Sequence, residues 1–408
     1  MRIAYFCQYF VPETNAPAAR ISELARMWAD SGHDVTVVTG LPNHPTGRVP
    51  EAYRNVLFRH ERFGNVKVWR NWLYATPNEG FVKKTLSHLS FMASTLLLSV
   101  PRLRSTDVLV VSSPTFFVAI TVCIAHWLWR IPYVFEVRDL WPGVFVELGI
   151  IKNRAMIRSL EAIEMFLYRR AALVVVVTES FKEILVARGL SAKHVAVITN
   201  GVDTDVFRPH NDASLTIKAC HGISARRVVL YIGAHGISHA LGSILEVAEQ
   251  FRHEPELAFV FVGDGAEKQQ LMKAATARRL ANVQFFPSQP RESVPLWYAA
   301  ADIVLVPLRR IPIFDSFIPS KIFEILGCER PIVASVRGEA RRILERSGGA
   351  IVVEPEDGAA IASAIRRLLA DNDQRETLAK RGGTFVRAEY DRRVLGGRYL
   401  QLLESVTR

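Results

Sequence analysis

The sequence predicts two α/β domains, each built on a parallel sheet with helices on both faces. The chain has 408 residues, a length that suits two domains of about 200 residues each. Short apolar runs without polar alternation recur along it, as in strands that are buried on both faces. Amphipathic helical segments separate these runs, and the repeated order of strand and helix is typical of doubly wound sheets.

The strands are predicted from the apolar runs. The first half contains seven of them, at residues 2–6, 34–39, 66–69, 108–111, 133–136, 173–177 and 195–198. The second half contains six, at residues 228–232, 258–262, 283–286, 303–307, 332–334 and 349–353. Segments with helical periodicity lie between them, for example 18–31 and 359–371.

A domain boundary is expected near residue 203. A predicted strand ends there in Asn200-Gly201-Val202-Asp203, before the polar residues 208–226. We therefore expect an N-terminal domain over 1–203, a C-terminal domain over 204–389, and a final helical segment, 390–408, that packs back on the first domain. The apolar stretch 108–129 is long enough to span a membrane. Because Ser112-Ser113-Pro114 interrupts it, we predict a buried strand and a buried helix instead.

Composition indicates a folded protein in a reducing compartment. Hydrophobic residues make up 49% of the chain and charged residues 22%, a balance typical of globular proteins. Four cysteines occur without CxxC spacing, which disfavours a disulfide framework and a zinc site. The N-terminus lacks the pattern of a signal peptide and instead resembles a first strand. We expect a cytoplasmic protein.

The formal net charge of +11 suits anionic partners: nucleic acid, phosphorylated small molecules or an anionic membrane. Residues 48–104 contain ten Lys/Arg and three Glu, an excess of seven positive charges. Apolar residues are interleaved with them, namely Phe63, Trp69, Trp72, Phe81, Phe91 and the run 95–98. This combination predicts a surface that docks on anionic lipid. An ordinary solvated face over a helical core is the equally compatible alternative.

A glycine-containing loop opens the predicted second domain at residues 231–239. Gly233 and Gly236 allow backbone N–H groups to approach a ligand, and the helix that follows favours an anion, so a diphosphate fits here. A tight turn without a ligand is the alternative. His239 is either a phosphate donor or a helix-capping residue.

A second motif, Pro319-Ser320-Lys321 with Glu324, lies between two predicted strands of that domain. Ser320 is predicted to be a helix N-cap, with Lys321 and Glu324 on one helical face. Glu324 would accept two ribose hydroxyls and Lys321 would face a diphosphate. A surface ion pair is the alternative. Asp264, after another strand, would shape the base and sugar pocket or form a plain Asp-Gly turn.

Polar residues also follow three predicted strands of the first domain. The loop 10–20 is rich in proline and small residues, so hydroxyl groups of a ligand can approach its backbone near Asn15 and Ala16. Two later loops hold Asn43, His44, Glu136, Arg138 and Asp139. We expect these side chains to form a polar cluster that faces a cleft. A buried salt-bridge cluster is the alternative for Arg138 and Asp139.

Taken together, these segments resemble glycosyltransferase family 4, the retaining enzymes of the GT-B fold, over nearly the whole chain. The most specific pieces are residues 32–35, 200–207 and 319–321 with Glu324. Residues 41–45 and 138–142 look like the bacterial transferases of O-antigen, capsule and slime synthesis, several of which transfer fucosamine or N-acetyl-aminosugars. The resemblance implies two domains that face a central cleft, a UDP-sugar donor and no essential metal.

The sequence departs from the family pattern in three motifs, at four positions. Ala234 and His239 stand where members often carry Arg and Lys in the first glycine loop. Ser316 stands where many have a Glu eight residues before the ribose-binding one, and Arg138 stands where many have a His. The details of the phosphate clamp and of the sugar-contacting acid therefore stay open.

The predicted reaction is transfer of a sugar, an N-acetyl-aminosugar by the resemblance, from a UDP-sugar to a polyprenyl-linked acceptor with retention. Lys321 and backbone N–H groups would stabilise the leaving diphosphate, and Asp139 or Glu136 would orient the acceptor. His44 and Arg138 complete the catalytic candidates. We expect no cofactor, no nucleic-acid partner, and a location on the inner face of the plasma membrane. A UDP-sugar epimerase and an inactive interaction module of the same fold stay as alternatives.

Overall fold

The fold is described from a computed structural model of the chain. It describes residues 1–13, 16–44, 46–76, 81–113, 116–140, 143, 153–210 and 213–407. The chain divides into two compact units. Unit 1 consists of Met1–Ile198 with Gly396–Arg408, and unit 2 consists of Thr199–Leu395.

Unit 1 is built on an eight-stranded sheet. Its strands are β1 (Arg2–Phe6), β2 (Asp34–Gly40), β3 (Phe58–Phe63), β4 (Val66–Asn71), β5 (Val108–Ser112), β6 (Tyr133–Val137), β7 (Leu173–Val176) and β8 (Val195–Val197). They lie in the order β3-β4-β2-β1-β5-β6-β7-β8, and all neighbours are parallel except β3 and β4. The sequence did not predict β3, because its residues FRHERF contain no continuous apolar run.

The described helices of unit 1 cover both faces of this sheet. They are α1 (Ala16–Asp30), α2 (Phe81–Leu98), α3 (Phe116–Trp129), α4 (Arg154–Arg170) and α5 (Glu179–Ala187). The apolar stretch 108–129 forms the buried strand β5 and the helix α3, as predicted, but the helix is not fully buried, because Trp127 and Leu128 near its end are exposed. Within the described ranges, no helix combines the length and the apolar character that crossing a membrane requires.

Unit 2 is built on a six-stranded, fully parallel sheet. Its strands are β9 (Arg227–Ile232), β10 (Leu257–Val262), β11 (Val283–Phe286), β12 (Ile303–Pro307), β13 (Ile332–Ser335) and β14 (Ala350–Val353), in the order β11-β10-β9-β12-β13-β14. Its helices are α6 (Ala213–Cys220), α7 (Leu241–Gln250), α8 (Lys268–Ala277), α9 (Val294–Ala300), α10 (Lys321–Gly327), α11 (Gly338–Ser347), α12 (Gly358–Ala370) and α13 (Asn372–Glu389).

The last helix, α14 (Arg392–Thr407), contributes most of its length to unit 1. The ring of Tyr399 meets the ring of Trp28 edge to face, with the centroids 5.3 Å apart. The indole Nε1 of Trp28 also donates a hydrogen bond of 3.1 Å to the carbonyl oxygen of Gly396. Both aromatic side chains are fully buried, so the C-terminal residues complete the core of unit 1.

The strand sequences are continuously apolar because both faces of each sheet are buried. In β9, Val228 and Leu230 belong to one hydrophobic cluster, whereas Val229 and Tyr231 belong to the cluster on the opposite face. Alternate residues of a strand point to opposite faces, so neither face can be polar. The prediction of two parallel-sheet α/β domains is confirmed.

The strand order reverses at one point in each sheet. In unit 1 the chain turns back between β1 and β5, and in unit 2 between β9 and β12. At such a point neighbouring connections leave in opposite directions, and a crevice opens beyond the carboxyl ends of the strands. The loops after these strands are therefore the places where ligand-binding residues are expected.

Candidate active site

The glycine loop of unit 2 follows β9 and touches Lys321 at the start of α10. A Cβ atom at Gly233 would lie 2.5 Å from the Nζ atom of Lys321, which is closer than real contacts allow. The φ angle of Gly233 is +140°, a region that residues with a side chain rarely adopt. The backbone conformation therefore favours glycine at this position, and a side chain here would also displace the end of Lys321.

Lys321 is a buried ammonium group without a counter-charge in contact. Its Nζ atom lies 4.2 Å from the centroid of the Tyr231 ring. Among the described residues, this atom has no hydrogen-bond partner. Burial lowers the pKa of Lys321 to about 8, and only Glu324 acts in the opposite direction. An ammonium that has lost water and gained no acceptor has a strong affinity for an anion.

Glu324 lies one turn further along α10, where its partners are residues other than Lys321. Its Oε1 atom is 3.7 Å from Nη2 of Arg291, and its Oε2 atom accepts a hydrogen bond of 3.4 Å from the Tyr298 hydroxyl. Burial raises the pKa of Glu324, although Arg291 and other cations oppose the shift. Lys321 and Glu324 therefore do not form an ion pair with each other, so the alternative of a plain surface ion pair does not account for these two residues.

Ser320 stands at the N-cap position of α10, as predicted, but its side chain makes no capping hydrogen bond. Its backbone is helical, with φ −56° and ψ −28°, whereas a capping side chain needs an extended backbone. The first N–H groups of the helix are satisfied by backbone carbonyls instead: Ile322 donates to Pro319, and Phe323 donates to Ser320. The Ser320 side chain is exposed.

Two histidines belong to the glycine loop, and both are uncharged at neutral pH. His235 is fully buried, and its backbone N–H donates to the carbonyl oxygen of Asp264 at 2.8 Å. Burial and the nearby Lys268 lower the pKa of His235 to about 4. Burial and Lys321 likewise lower the pKa of His239 to about 4. His239 therefore adds no positive charge beside a phosphate.

The remaining predicted residues of unit 2 lie in the same loops. The N-cap of α7 is Ala240, which has no capping side chain, so His239 is not a capping residue. A Cβ atom at Gly236 would have no heavy atom within 4 Å, which leaves space for a ligand beside its backbone. Asp264 is exposed, and its Oδ1 atom accepts the Gly265 N–H at 2.8 Å. In this structure Asp264 stabilises an Asp-Gly turn.

Glu136 of unit 1 is a buried structural carboxylate and does not face an open crevice. Its Oε1 atom accepts hydrogen bonds from Nε and Nη2 of Arg20 at 3.2 and 3.0 Å, and its Oε2 atom accepts the Tyr5 hydroxyl. Burial opposes ionisation, but Arg20 and Arg138 together lower the pKa of Glu136 below its ordinary value. With no exposed surface and both oxygens engaged, Glu136 cannot orient an acceptor. It positions Arg20 instead.

Arg138 and Asp139 follow β6 on a backbone that Ser113 holds. The Oγ atom of Ser113 accepts the N–H of Arg138 at 2.8 Å and the N–H of Asp139 at 3.2 Å. Burial raises the pKa of Asp139, although Arg138 opposes the shift. Within the described part of the chain, the two side chains do not form a salt bridge with each other. The alternative of a buried ion pair therefore does not apply to them.

His44 is held by Glu13, a residue that the sequence did not single out. The carboxylate of Glu13 accepts the N–H groups of Phe10, Asn43 and His44 at 3.1, 3.0 and 2.9 Å, so it joins the loops after β1 and β2. The His44 ring packs edge to face on Tyr9, and its Nδ1 atom has no partner among the described residues.

Some predicted residues cannot be compared with the structure. Asn15 lies outside the described residues, as do Pro45, Trp141 and Pro142. Ala16 is the first residue of α1, and only its backbone is described. Across the described ranges, no three His, Cys, Asp or Glu side chains come together as a metal site would require.

The chain matches two family models that together span most of its length. Residues 15–201 match the model of the glycosyl transferase 4-like domain, and residues 216–384 match the model of glycosyl transferases group 1. The chain belongs to the glycosyltransferases. The glycine loop, Lys321 and Glu324 all lie in the second of these matches, whereas Arg138 and Asp139 lie in the first.

Two curated bacterial glycosyltransferases are similar to this transferase. A putative colanic acid biosynthesis glycosyl transferase of Escherichia coli, WcaI, is 28% identical over 90% of this chain and 92% of its own length. A probable glycosyltransferase of Pseudomonas aeruginosa, WbjE, is 26% identical over 68% of this chain and 69% of its own length.

Solved structures confirm the fold of the transferase at low identity. Sucrose-phosphate synthase from Thermosynechococcus elongatus superposes with a TM-score of 0.74 at 19% identity, over 99% of this chain and 98% of that one. HepE of Anabaena in complex with UDP superposes with a TM-score of 0.71 at 18% identity, over 99% of this chain and 100% of that one. These neighbours are glycosyltransferases of the GT-B fold.

Proposed function

We propose that the chain transfers a sugar from a UDP-sugar to a polyprenyl-linked acceptor, with retention of configuration, in the synthesis of a bacterial surface polysaccharide. The observation that carries this proposal is the buried ammonium of Lys321, which lacks a hydrogen-bond partner and touches Gly233 where the strand order reverses. In this proposal residues 204–389 bind the donor and residues 1–203 bind the acceptor. The similarity to WcaI supports a surface polysaccharide as the product.

The donor would be bound through its diphosphate and its ribose. Lys321 and the backbone N–H groups near Gly236 supply positive potential for the diphosphate, and Glu324 accepts hydrogen bonds from the ribose hydroxyls. The solved structure of HepE, a neighbour of the same fold, is that of its complex with UDP. This supports UDP as the nucleotide of the donor. The resemblance at residues 41–45 and 138–142 is the support for an N-acetyl-aminosugar as the transferred sugar.

The reaction needs stabilisation of charge on the leaving diphosphate, and fixed protein groups provide it. As the glycosidic bond to phosphate breaks, negative charge grows on an oxygen that Lys321 is placed to neutralise. The group is already desolvated, so little reorganisation accompanies the reaction. Asp139, on the backbone fixed by Ser113, would orient the acceptor hydroxyl or phosphate. The leaving phosphate itself would take the acceptor proton.

Turnover is expected to persist in excess EDTA, because Lys321 supplies at the diphosphate the charge that a divalent cation supplies in other enzymes. The measurement is UDP release from a UDP-sugar in the presence of a prenyl phosphate acceptor, with and without EDTA. Added Mg²⁺ should give no further increase. Activity that EDTA abolishes and Mg²⁺ or Mn²⁺ restores would contradict the proposal of metal-independent transfer.

The membrane surface that we propose lies on α2 and α3, which pack against each other in unit 1. Lys83 and Lys84 are exposed at the start of α2. Large apolar side chains are also exposed on these helices, namely Leu86, Leu97, Trp127 and Leu128. Trp127 and Leu97 expose 78% and 72% of their surface, which is unusual for residues of this size. Basic and apolar groups together favour an anionic lipid surface as the partner.

Part of the apolar set predicted for this surface is not available to lipid. Phe91 and Thr95 are buried in unit 1, whereas Leu97 is exposed. The side chain of Phe81 lies outside what the structure describes. Trp127 and Leu128 lie beyond the basic segment 48–104, so the sequence pattern did not include them.

Reversing the charge of Lys83 and Lys84 is expected to weaken binding to anionic vesicles. Each basic residue near the surface contributes about 1 kcal/mol, so the K83E/K84E variant should sediment less with phosphatidylglycerol vesicles at low salt. High salt should release much of the wild type, because screening shortens the reach of surface charges. UDP affinity should not change.

The matched control is K273E/K380E, which makes the same charge change at two exposed lysines of unit 2. It should bind vesicles like the wild type. A wild type that ignores anionic vesicles even at low salt would show that the basic segment is an ordinary solvated face.

A further inference from the structure

Arg138 is a half-buried arginine, and part of its guanidinium group is shielded from solvent. Its Nε and Nη1 atoms are shielded from solvent and have no hydrogen-bond partner among the described residues. Burial lowers the pKa of Arg138, although Glu136 acts in the opposite direction. Arginine nevertheless stays protonated in proteins. The structure thus holds a partly desolvated cation with two unfilled donors, which is costly unless an acceptor arrives.

The neighbouring carboxylates do not fill these donors. Both oxygens of Glu136 already accept hydrogen bonds from Arg20 and Tyr5. Asp139 adjoins Arg138 in sequence, but its carboxylate forms no salt bridge with the guanidinium among the described residues. Glu136 therefore provides a diffuse negative potential that balances the buried charge. It does not accept hydrogen bonds from the Nε and Nη1 atoms of Arg138.

The backbone that carries Arg138 is fixed before any ligand binds. Ser113, at the end of β5, accepts the N–H groups of both Arg138 and Asp139. Strands β5 and β6 are direct neighbours in the sheet. A guanidinium on an anchored backbone loses less conformational freedom when it binds a ligand than one on a mobile loop.

We propose that Arg138 binds a phosphate group of the acceptor. The planar guanidinium presents parallel N–H donors that match the oxygens of a phosphate in a way that lysine cannot. This inference rests on the proposed function, in which Lys321 of unit 2 serves the donor diphosphate, so the anion at Arg138 belongs to the acceptor. It selects a prenyl phosphate or diphosphate as the acceptor class over a neutral sugar hydroxyl.

The test is calorimetric titration of the full-length protein with farnesyl diphosphate, a short prenyl diphosphate. R138Q should bind it at least tenfold more weakly than the wild type. R138K keeps the charge but loses the parallel N–H donors, so its affinity should lie between those of R138Q and the wild type. Farnesol, which lacks phosphate, should not distinguish the variants. R158Q, at an exposed arginine of α4, should behave like the wild type.

Two further measurements separate binding from folding and from the donor site. The melting temperature of R138Q without ligand should not be lower than that of the wild type, because the substitution removes unsatisfied buried donors. A lower value with unchanged binding would show that Arg138 is structural.

UDP affinity should be unchanged in R138Q. If farnesyl diphosphate binds R138Q as tightly as the wild type, or if R138Q loses UDP affinity instead, the proposal is wrong. Failure of the wild type to bind UDP would count against the donor site alone.

Discussion

Replacing Lys321 with methionine is expected to reduce turnover by roughly a hundredfold to a thousandfold, the usual cost of removing one preorganised donor from a developing oxyanion. UDP affinity should fall as well, because the diphosphate loses its buried counter-charge. Methionine keeps the apolar length of the side chain against Tyr231. The fold should therefore survive, and circular dichroism and thermal melting would check this. Rates of UDP release and calorimetric titration with UDP measure the effect.

The pH dependence of UDP binding provides a second readout for Lys321. Its pKa of about 8 in the ligand-free protein means that the ammonium is present below that pH and is lost as the pH rises through it. UDP affinity should therefore decline above pH 8 in the wild type, and this decline should be absent in K321M. K273M, at an exposed lysine of α8, is the control and should match the wild type. K321M turning over at the wild-type rate would place the diphosphate elsewhere.

Replacing Glu324 with alanine is expected to weaken UDP binding by about 1.5–3 kcal/mol, the contribution of hydrogen bonds to a charged group. Because the hydrogen bonds that Glu324 accepts come from the ribose hydroxyls, the loss of UDP affinity should depend on those hydroxyls. The 2′-deoxy analogue of UDP should bind the wild type more weakly than UDP does. E324A should bind the two nucleotides almost equally. Titration of both proteins with both ligands completes a double-mutant cycle.

E324Q is the control for this prediction. It keeps the shape and one acceptor oxygen near Tyr298 and Arg291, so its affinity for UDP should lie between those of the wild type and E324A. If E324A loses the same free energy with UDP and with the 2′-deoxy analogue, Glu324 acts through Arg291 or the helix and does not touch the ribose.

The architecture was predictable because it depends on local composition. A strand buried on both faces must be apolar throughout, and each of the thirteen apolar runs identified in the sequence forms a strand. The edge strand β3 was not predictable in this way, since Glu61 on it pairs with Arg59 of the same strand and with Arg70 of the neighbouring strand. A pattern-based prediction has no means of detecting such cross-strand pairs between charged residues.

The candidate site was predictable in its position but less so in its contacts. Lys321 stands out from sequence because it follows a strand and opens a helix, yet its burial over Tyr231 depends on a residue far away in the chain. Glu136 had the same kind of position, but Arg20 approaches it from α1 and converts it into a structural group. Ser320 has the residue type and the position of an N-cap, and only its helical backbone angles show that its side chain does not cap the helix.

The most direct test of the central claim is the mass of the acceptor after incubation with UDP-sugars. We expect a farnesyl phosphate or diphosphate acceptor to gain the mass of one glycosyl residue, with release of one UDP for each sugar transferred, and K321M to show little of either. An unchanged acceptor together with interconversion of UDP-sugar epimers would contradict the account and favour an epimerase. An unchanged acceptor and an unchanged donor, across a panel that includes UDP-N-acetyl-aminosugars, would favour an inactive module of the same fold.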